Sequence, residues 1–163
     1  MRFVPPLALV LILVLARLGA AQAALPEELA PVEGKVVWVD FWASWCAPCR
    51  RSFPWMNAMH RKYAAQGLQI IGVNVDKERQ LADEFLEETP AEFALRFDPT
   101  GKLAKEFEVQ AMPSSFLLDA AGNILARHFG FKLADAEEYE RAIESVLAAS
   151  AAEAAQKSLH AER

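Results

Sequence analysis

Short apolar runs alternate with amphipathic stretches along most of the chain. The run 36–41 (VVWVDF) is rich in β-branched and aromatic residues, which predicts a central strand buried on both faces. A second run of this kind, 68–75 (LQIIGVNV), follows Gly67. The stretch from about 47 to 65 predicts a helix that ends at this glycine. Two buried strands joined by a helix are typical of a layered α/β fold.

The second half of the chain predicts smaller elements and a closing helix. Two apolar stretches flank a polar turn that contains Gly122, which indicates a hairpin. The last helix begins near Asp135 and has one apolar face. The other predicted elements are a helix at 77–88, a short strand at 92–97, a short helix around 103–107, and hairpin strands at 115–118 and 124–129. Together the elements predict a mixed central sheet flanked by helices.

The first 23 residues have the pattern of a targeting segment. Arg2 precedes the charge-free stretch 3–16, which is mostly Leu and Val. Ala21-Gln22-Ala23 has the form that a signal peptidase accepts, so the sequence predicts a signal peptide, 1–23. The alternative is an uncleaved anchor that holds residues 3–16 in the membrane, although a spanning helix needs about 20 residues. Either way we expect the part from residue 24 onward to be exported.

Composition and charge exclude several classes of protein. A chain of 163 residues fits one domain, and 7 Gly and 9 Pro exclude a collagen-like or low-complexity protein. The formal net charge of −5 argues against nucleic acid as a partner. We expect the domain to span 24–149. The Ala-rich tail 150–163 either extends the last helix or is disordered.

The candidate chemistry is the cysteine pair at the start of the first predicted helix. A close pair such as Cys46 and Cys49 in an exported protein is a redox pair or a disulfide. Free N–H groups at a helix N-terminus lower the pKa of a thiol. We therefore expect Cys46, the more exposed, to be the attacking thiolate. Cys49, one turn further along, would resolve the mixed disulfide.

A cysteine pair can also bind zinc or form a purely structural disulfide. A structural zinc site needs four ligands, and His60, His128 and His160 show no ligand spacing. A purely structural disulfide that closes so short a loop would constrain the unfolded chain little. We therefore expect no metal and no cofactor, and redox chemistry is favoured.

The segment 39–50 (VDFWASWCAPCR) resembles the active-site segment of thioredoxin-fold proteins. Within that superfamily the chain is most similar to exported TlpA/ResA/DsbE-like reductases. Further matches follow in order at Pro54, 72–76, 112–119, 121–124 and Gly130, so the resemblance covers about residues 33–147. It implies a thioredoxin fold with a TlpA-like insertion between the second strand and the cis-proline segment. The candidate for this insertion is 77–98.

The resemblance also implies a substrate-binding surface around the cysteines. Pro113 would follow a cis peptide bond, which leaves the backbone at Met112 free to pair with a substrate strand. The alternative is a trans proline before a strand. Trp45, Ala47 and Pro48 would complete the surface.

Asp40 lies inside the first apolar run, six residues before Cys46. A carboxylate there is desolvated, so we expect its pKa to be raised. The resemblance gives it the role of proton acceptor and donor for Cys49 through water; the alternative is a solvated carboxylate at a strand end. Thioredoxins pair this Asp with a Lys on the next strand, whereas the aligned residue here is Gly72. We therefore expect Asp40 to lack a cationic partner.

The function that the resemblance implies is thiol–disulfide exchange outside the cytoplasm. The clients would be periplasmic proteins with disulfides, for example in cytochrome c maturation or oxidase assembly. A membrane thiol-transfer protein would supply the electrons. Strong oxidants of this fold often carry His between the cysteines, and Ala47-Pro48 lacks one, which favours a reductant. The alternatives are a disulfide-forming oxidase and a non-catalytic binding module.

Overall fold

The computed structural model describes residues 35–161, with Pro26 and Leu29 ahead of them. The predicted signal peptide, 1–23, lies outside the described residues. Among the helices that are described, none is both long enough and apolar enough to cross a membrane.

The described elements follow the predicted order, with ends that differ from the predictions by up to two residues. The strands are β1 (Val36–Trp42), β2 (Leu68–Asn74), β3 (Ala94–Phe97), β4 (Ser114–Leu118) and β5 (Ile124–Phe129). The helices are α1 (Ala47–Tyr63), α2 (Arg79–Glu88), α3 (Lys102–Glu106) and α4 (Ala136–Ala161). A 3-10 turn, Ala64–Gln66, extends α1 as far as Gly67, whose φ of 101° ends the helical segment.

The strands form one mixed sheet in the order β3-β2-β1-β4-β5. β2 is parallel to both β1 and β3, whereas β4 is antiparallel to both β1 and β5. The mixed sheet and the thioredoxin-like fold predicted from the sequence are confirmed. α2 and β3 occupy the place of the predicted insertion, and β3 extends the sheet beyond β2.

The central strand β1 divides the core into two layers. Its residues alternate between the faces, because successive side chains of a strand point to opposite sides. Trp38 and Trp42 pack with residues of α1, α2 and α4 on one face. Val39 and Phe41 pack on the other face, against Leu103 of α3 and neighbouring apolar side chains. By this alternation Asp40 lies on the face that α1 covers.

The last helix runs through the predicted domain boundary at 149 and continues to Ala161. In the structure, the tail as far as residue 161 extends the last helix. Its buried side chains are Tyr139, Ile143 and Leu147, which are spaced three to four residues apart. From residue 151 to 161 every residue is exposed, so this part of α4 stands clear of the core.

Candidate active site

A tight turn carries the chain from the end of β1 to the cysteines, and one carboxylate holds it. The backbone N–H of Ser44 donates to Asp76 Oδ2 at 2.8 Å, and the Ser44 hydroxyl donates to Oδ1 at 2.9 Å. Asn74 Nδ2 also donates to Asp76 Oδ2, at 2.7 Å. These contacts tie the turn to the end of β2. They were not predicted from the sequence, where the available signal is an Asp directly after an apolar strand.

Cys46 and Cys49 are joined by a disulfide across the first turn of α1. Cys46 is the N-cap residue, and its Sγ accepts a hydrogen bond from the backbone N–H of Cys49 at 3.2 Å. Pro48 fits in this turn because the first N–H groups of a helix have no intrahelical partner. Cys46 is 3% exposed and Cys49 0%. The order of exposure is as expected, but both residues are buried in the oxidised protein.

An apolar surface surrounds the pair. Trp45 is 70% exposed, next to the nearly buried Cys46. Ala47 is exposed and Pro48 is half-buried. Trp42, by contrast, is fully buried below the site, in contact with Phe53 and Phe85. Of these aromatic residues only Trp45 offers area to a partner.

The peptide bond between Met112 and Pro113 is cis, as the resemblance implied. Phe41 is opposite Ser114, which places Pro113 at the end of the sheet where β1 leads into the cysteine turn. Pro113 is buried, and its carbonyl accepts the N–H of Gly130 at 2.7 Å. Met112 is half-buried and packs on the same apolar cluster as both cysteines. The two predicted substrate-binding segments therefore meet at one end of the sheet.

Asp40 is a buried carboxylic acid under the active-site helix. It is 1% exposed, and Ser115 Oγ donates to its Oδ1 at 2.5 Å. Burial raises the pKa of Asp40 to about 7, although the hydrogen bond from Ser115 works in the opposite direction. The expected desolvation is confirmed, and the alternative of a solvated carboxylate is wrong. Ser115 was not among the residues predicted for the site.

Gly72 is directly opposite Asp40 on β2, as the alignment indicated. A Cβ atom at this glycine would lie 3.0 Å from a ring carbon of Phe93 and 3.1 Å from a methyl carbon of Leu95. It would also lie 3.2 Å from Trp42 Nε1. Because these distances are shorter than ordinary packing contacts, a side chain opposite Asp40 would require Phe93, Leu95 and Trp42 to shift by a few tenths of an ångström. Within residues 35–161, no group of three or more His, Cys, Asp and Glu side chains is placed to hold a metal ion.

Comparison with known proteins agrees with this geometry. The family model described as AhpC/TSA family matches residues 21–127, which is more than half of the chain. Thiol-disulfide oxidoreductase ResA of Geobacillus kaustophilus is 31% identical over 120 residues, covering 74% of this chain and 68% of that protein. ResA of Bacillus thuringiensis subsp. konkukian is 33% identical over 98 residues, covering 60% of this chain. The chain spans 57% of that second relative, less than two thirds of its length.

Solved structures show the same fold. A thiol:disulfide interchange protein DsbE from Chlorobium tepidum is 49% identical with a TM-score of 0.70, and the match covers 71% of this chain and 82% of that one. StoA of Bacillus subtilis is 26% identical with a TM-score of 0.59, covering 67% and 82% of the two chains. The fold, the cysteine pair and the family match agree, and the chain belongs to the AhpC/TSA family of thioredoxin-like proteins.

Proposed function

We propose that the protein is an exported thiol–disulfide oxidoreductase that reduces disulfide bonds in client proteins. The observation that carries the proposal is the Cys46–Cys49 pair at the N-terminus of α1, at the same end of the sheet as the cis Met112–Pro113 peptide. The names of the relatives support it, since ResA is a thiol-disulfide oxidoreductase and DsbE a thiol:disulfide interchange protein.

The first step uses the reduced protein and Cys46. Its thiolate is stabilised by the N–H groups at the start of α1. The thiolate attacks one sulfur of the client disulfide, so a bond forms between Cys46 and the client while the client S–S bond breaks. The released client sulfur takes a proton from water.

The second step uses Cys49 and Asp40. Asp40 accepts the proton of Cys49, directly or through a water molecule, and the new thiolate attacks the Cys46 sulfur. The mixed disulfide breaks, and the client leaves with both sulfurs reduced. Two electrons have passed to the client, and Cys46–Cys49 is now the disulfide. A carboxyl with a pKa of about 7 suits this role, because a proton acceptor works best when its pKa is near the working pH.

The surface around the pair would hold the client. Trp45, Ala47 and Pro48 provide apolar area on one side, and Met112 provides it on the other. In this proposal an extended client segment pairs with the backbone at Met112, ahead of Pro113, in the manner of an added β-strand.

The cellular setting follows from the predicted signal peptide, 1–23. The protein would act in the periplasm, either released or held in the membrane by residues 3–16. Its clients would be proteins whose cysteines must be kept reduced, for example in cytochrome c maturation or oxidase assembly. A membrane thiol-transfer protein would reduce it again. The formal net charge of −5 gives no reason to expect a nucleic acid partner.

The test is the equilibrium reduction potential of the Cys46–Cys49 pair in the purified protein, measured against a glutathione or dithiothreitol buffer. A value near that of thioredoxin, about −270 mV, supports a reductant. A value near that of the oxidant DsbA, about −120 mV, would overturn the direction and leave the disulfide-forming oxidase. A Cys46→Ser variant that keeps the biological role would instead favour the binding module.

A further inference from the structure

One row of the sheet lies beneath the active-site helix and contains Asp40. In this row Gly72 on β2, Asp40 on β1, Ser115 on β4 and His128 on β5 are directly opposite one another. Residues opposite each other on neighbouring strands point to the same face of a sheet. The row therefore brings the hydroxyl of Ser115 and the ring of His128 to the face on which Asp40 lies.

Ser115 is the residue of this row that bonds to the carboxylate. Its side chain is buried, with 5% exposed, and its Oγ lies 2.5 Å from Asp40 Oδ1. The other oxygen, Oδ2, is also buried and has no hydrogen-bond partner among the described residues. Gly72, on the opposite side, brings no side chain. Of the two carboxylate oxygens of Asp40, Oδ1 is thus hydrogen-bonded, whereas Oδ2 has no partner among the described residues.

We propose that Ser115 is a positioning residue, whose hydroxyl fixes the Asp40 carboxylate through Oδ1 and leaves Oδ2 as the oxygen that takes up the proton. The proposal deepens the function proposed above and rests on it, since there Asp40 accepts the proton of Cys49. Ser115 does not touch the reacting sulfurs in this scheme. It acts through Asp40 alone.

The hydroxyl also sets how readily Asp40 gives up its proton. Burial disfavours the charged carboxylate, whereas a donated hydrogen bond favours it. Both effects act on Asp40, and burial is the larger. Without the hydroxyl, this hydrogen bond would no longer counteract the effect of burial. The pKa of Asp40 would therefore rise further, and Asp40 would keep its proton to higher pH. At neutral pH it would then be mostly protonated and unable to accept a proton from Cys49.

Burial and the Ser115 hydroxyl are the causes of the shifted pKa of Asp40, and the other titratable groups on the described elements around it do not supply this effect in the oxidised protein. On α1 the group is Cys49, which is in the disulfide. On β5 it is His128, whose pKa is lowered by burial, so the ring is neutral at pH 7. On α4 Tyr139 packs against the ring of His128, and its pKa is raised by burial, so the phenol is neutral as well. β2 offers only Gly72, which leaves the Ser115 hydroxyl as the group that tunes the carboxyl.

The test compares substitutions that differ by the hydroxyl alone. Ser115→Thr and Ser115→Val have the same shape, but only Thr can donate to Asp40. Ser115→Ala removes the hydroxyl with the least change of volume. Ser114→Ala is the matched control, because Ser114 is the buried neighbour, belongs to the opposite face and donates to the carbonyl of Ala111 at 2.6 Å.

Two quantities are measured for each variant. The first is the pKa of the Asp40 carboxyl by carbon NMR on the oxidised protein. The second is the pH midpoint of the single-turnover reaction of the reduced protein with oxidised glutathione. In Ser115→Val and Ser115→Ala we expect both to move upward by about one pH unit, the size of a hydrogen bond to a charged group. Ser115→Thr and Ser114→Ala should stay at the wild-type values.

Equal carboxyl pKa values in Ser115→Thr and Ser115→Val would overturn the proposal, whatever the rates. The function proposed for Asp40 is tested separately by Asp40→Asn. If that variant keeps the wild-type pH profile, Asp40 is not the proton acceptor, and yet a shifted carboxyl pKa in Ser115→Val would still show that Ser115 tunes it. If Asp40→Asn reacts slowly while Ser115→Thr and Ser115→Val have the same carboxyl pKa, Asp40 is the proton acceptor but Ser115 does not tune it.

Discussion

Asp76 holds Ser44 at two points, the backbone N–H at 2.8 Å and the hydroxyl at 2.9 Å. The two residues are 32 positions apart in the sequence, and one precedes the cysteines while the other follows β2. The contact therefore makes the position of the cysteine turn depend on the parallel strand beside it.

Substitutions on the two sides of this contact should lower the free energy of unfolding by different amounts. Ser44→Ala loses one hydrogen bond and should lower the free energy of unfolding by about 1 kcal/mol. Asp76→Ala also removes the acceptor of the Ser44 backbone N–H and of the Asn74 amide, and should cost about 2–3 kcal/mol. Urea unfolding of the oxidised protein measures both values. Asp83→Ala, which removes an exposed partner of Arg79, is the control and should change little. Equal losses for Ser44→Ala and Asp76→Ala would contradict the two-point contact.

Asp40 should make the protein less stable as the pH rises. The pKa of Asp40 is about 7 in the folded protein, against an ordinary value of 3.8. Between these two values the folded state binds the extra proton, so the stability that this proton gives is complete below about pH 4 and is lost by about pH 7. Asp40→Asn should therefore be more stable than the wild type at pH 8, by about 2–4 kcal/mol, and nearly equal to it at pH 4.

Urea unfolding of the oxidised wild type and Asp40→Asn at pH 4, 5.5 and 8 checks this dependence. Asp83→Asn is the matched control, since its carboxylate is exposed. A constant difference between Asp40→Asn and the wild type across this range would mean that folding does not raise the pKa of the carboxyl.

The two cysteines should differ in what they trap. Cys49→Ser keeps the attacking thiol and lacks the resolving one, so a mixed disulfide with a disulfide-bonded peptide should accumulate. Cys46→Ser should form none, because Cys49 is fully buried. Intact-mass spectrometry after non-reducing quenching distinguishes the two variants. An adduct on Cys49 in the Cys46→Ser protein would reverse the assigned roles.

Trp45 should matter for protein clients and not for stability. With 70% of its surface exposed, Trp45→Ala should change the free energy of unfolding by less than about 0.5 kcal/mol. The rate with a disulfide-bonded protein should fall several-fold, while the rate with oxidised glutathione should stay the same. Leu159→Ala, at an exposed apolar position on the far part of α4, is the control for both rates. Equal slowing with both substrates would place Trp45 in the chemistry instead of in client contact.

The far part of α4 should be dispensable for the fold. Deleting residues 150–163 should change the free energy of unfolding by less than about 0.5 kcal/mol, because the last buried side chain of the helix is Leu147. Leu147→Ala, by comparison, should cost about 2–3 kcal/mol. Urea unfolding of both proteins tests the contrast, and a large loss on truncation would show that the exposed turns stabilise the domain.

The elements that the sequence predicted well are those whose signal is local. The run 36–41 is apolar except for Asp40, and the order of predicted elements follows from such runs and their turns. The cysteine pair at a helix start was evident for the same reason. The end of α4 does not follow from the sequence, since an Ala-rich stretch favours a helix but shows no apolar face.

The contacts that the sequence did not reveal join residues far apart along the chain. Ser115 bonds to Asp40 across 75 positions, and the pairing depends on the register between β1 and β4. A shift of one residue would turn the hydroxyl to the other face. Ser44 and Asp76 meet only because β1 and β2 end side by side. Local sequence patterns reveal neither the register between β1 and β4 nor which strands end side by side.

The crowding at Gly72 links two features that otherwise look unrelated. Phe93 and Leu95 belong to the predicted insertion, 77–98, and they crowd the space that a side chain opposite Asp40 would need. A lysine at position 72 would press against these side chains, so the single substitution should cost stability. An attempt to convert this site to the thioredoxin arrangement therefore has to make Phe93 and Leu95 smaller together with the change at the glycine.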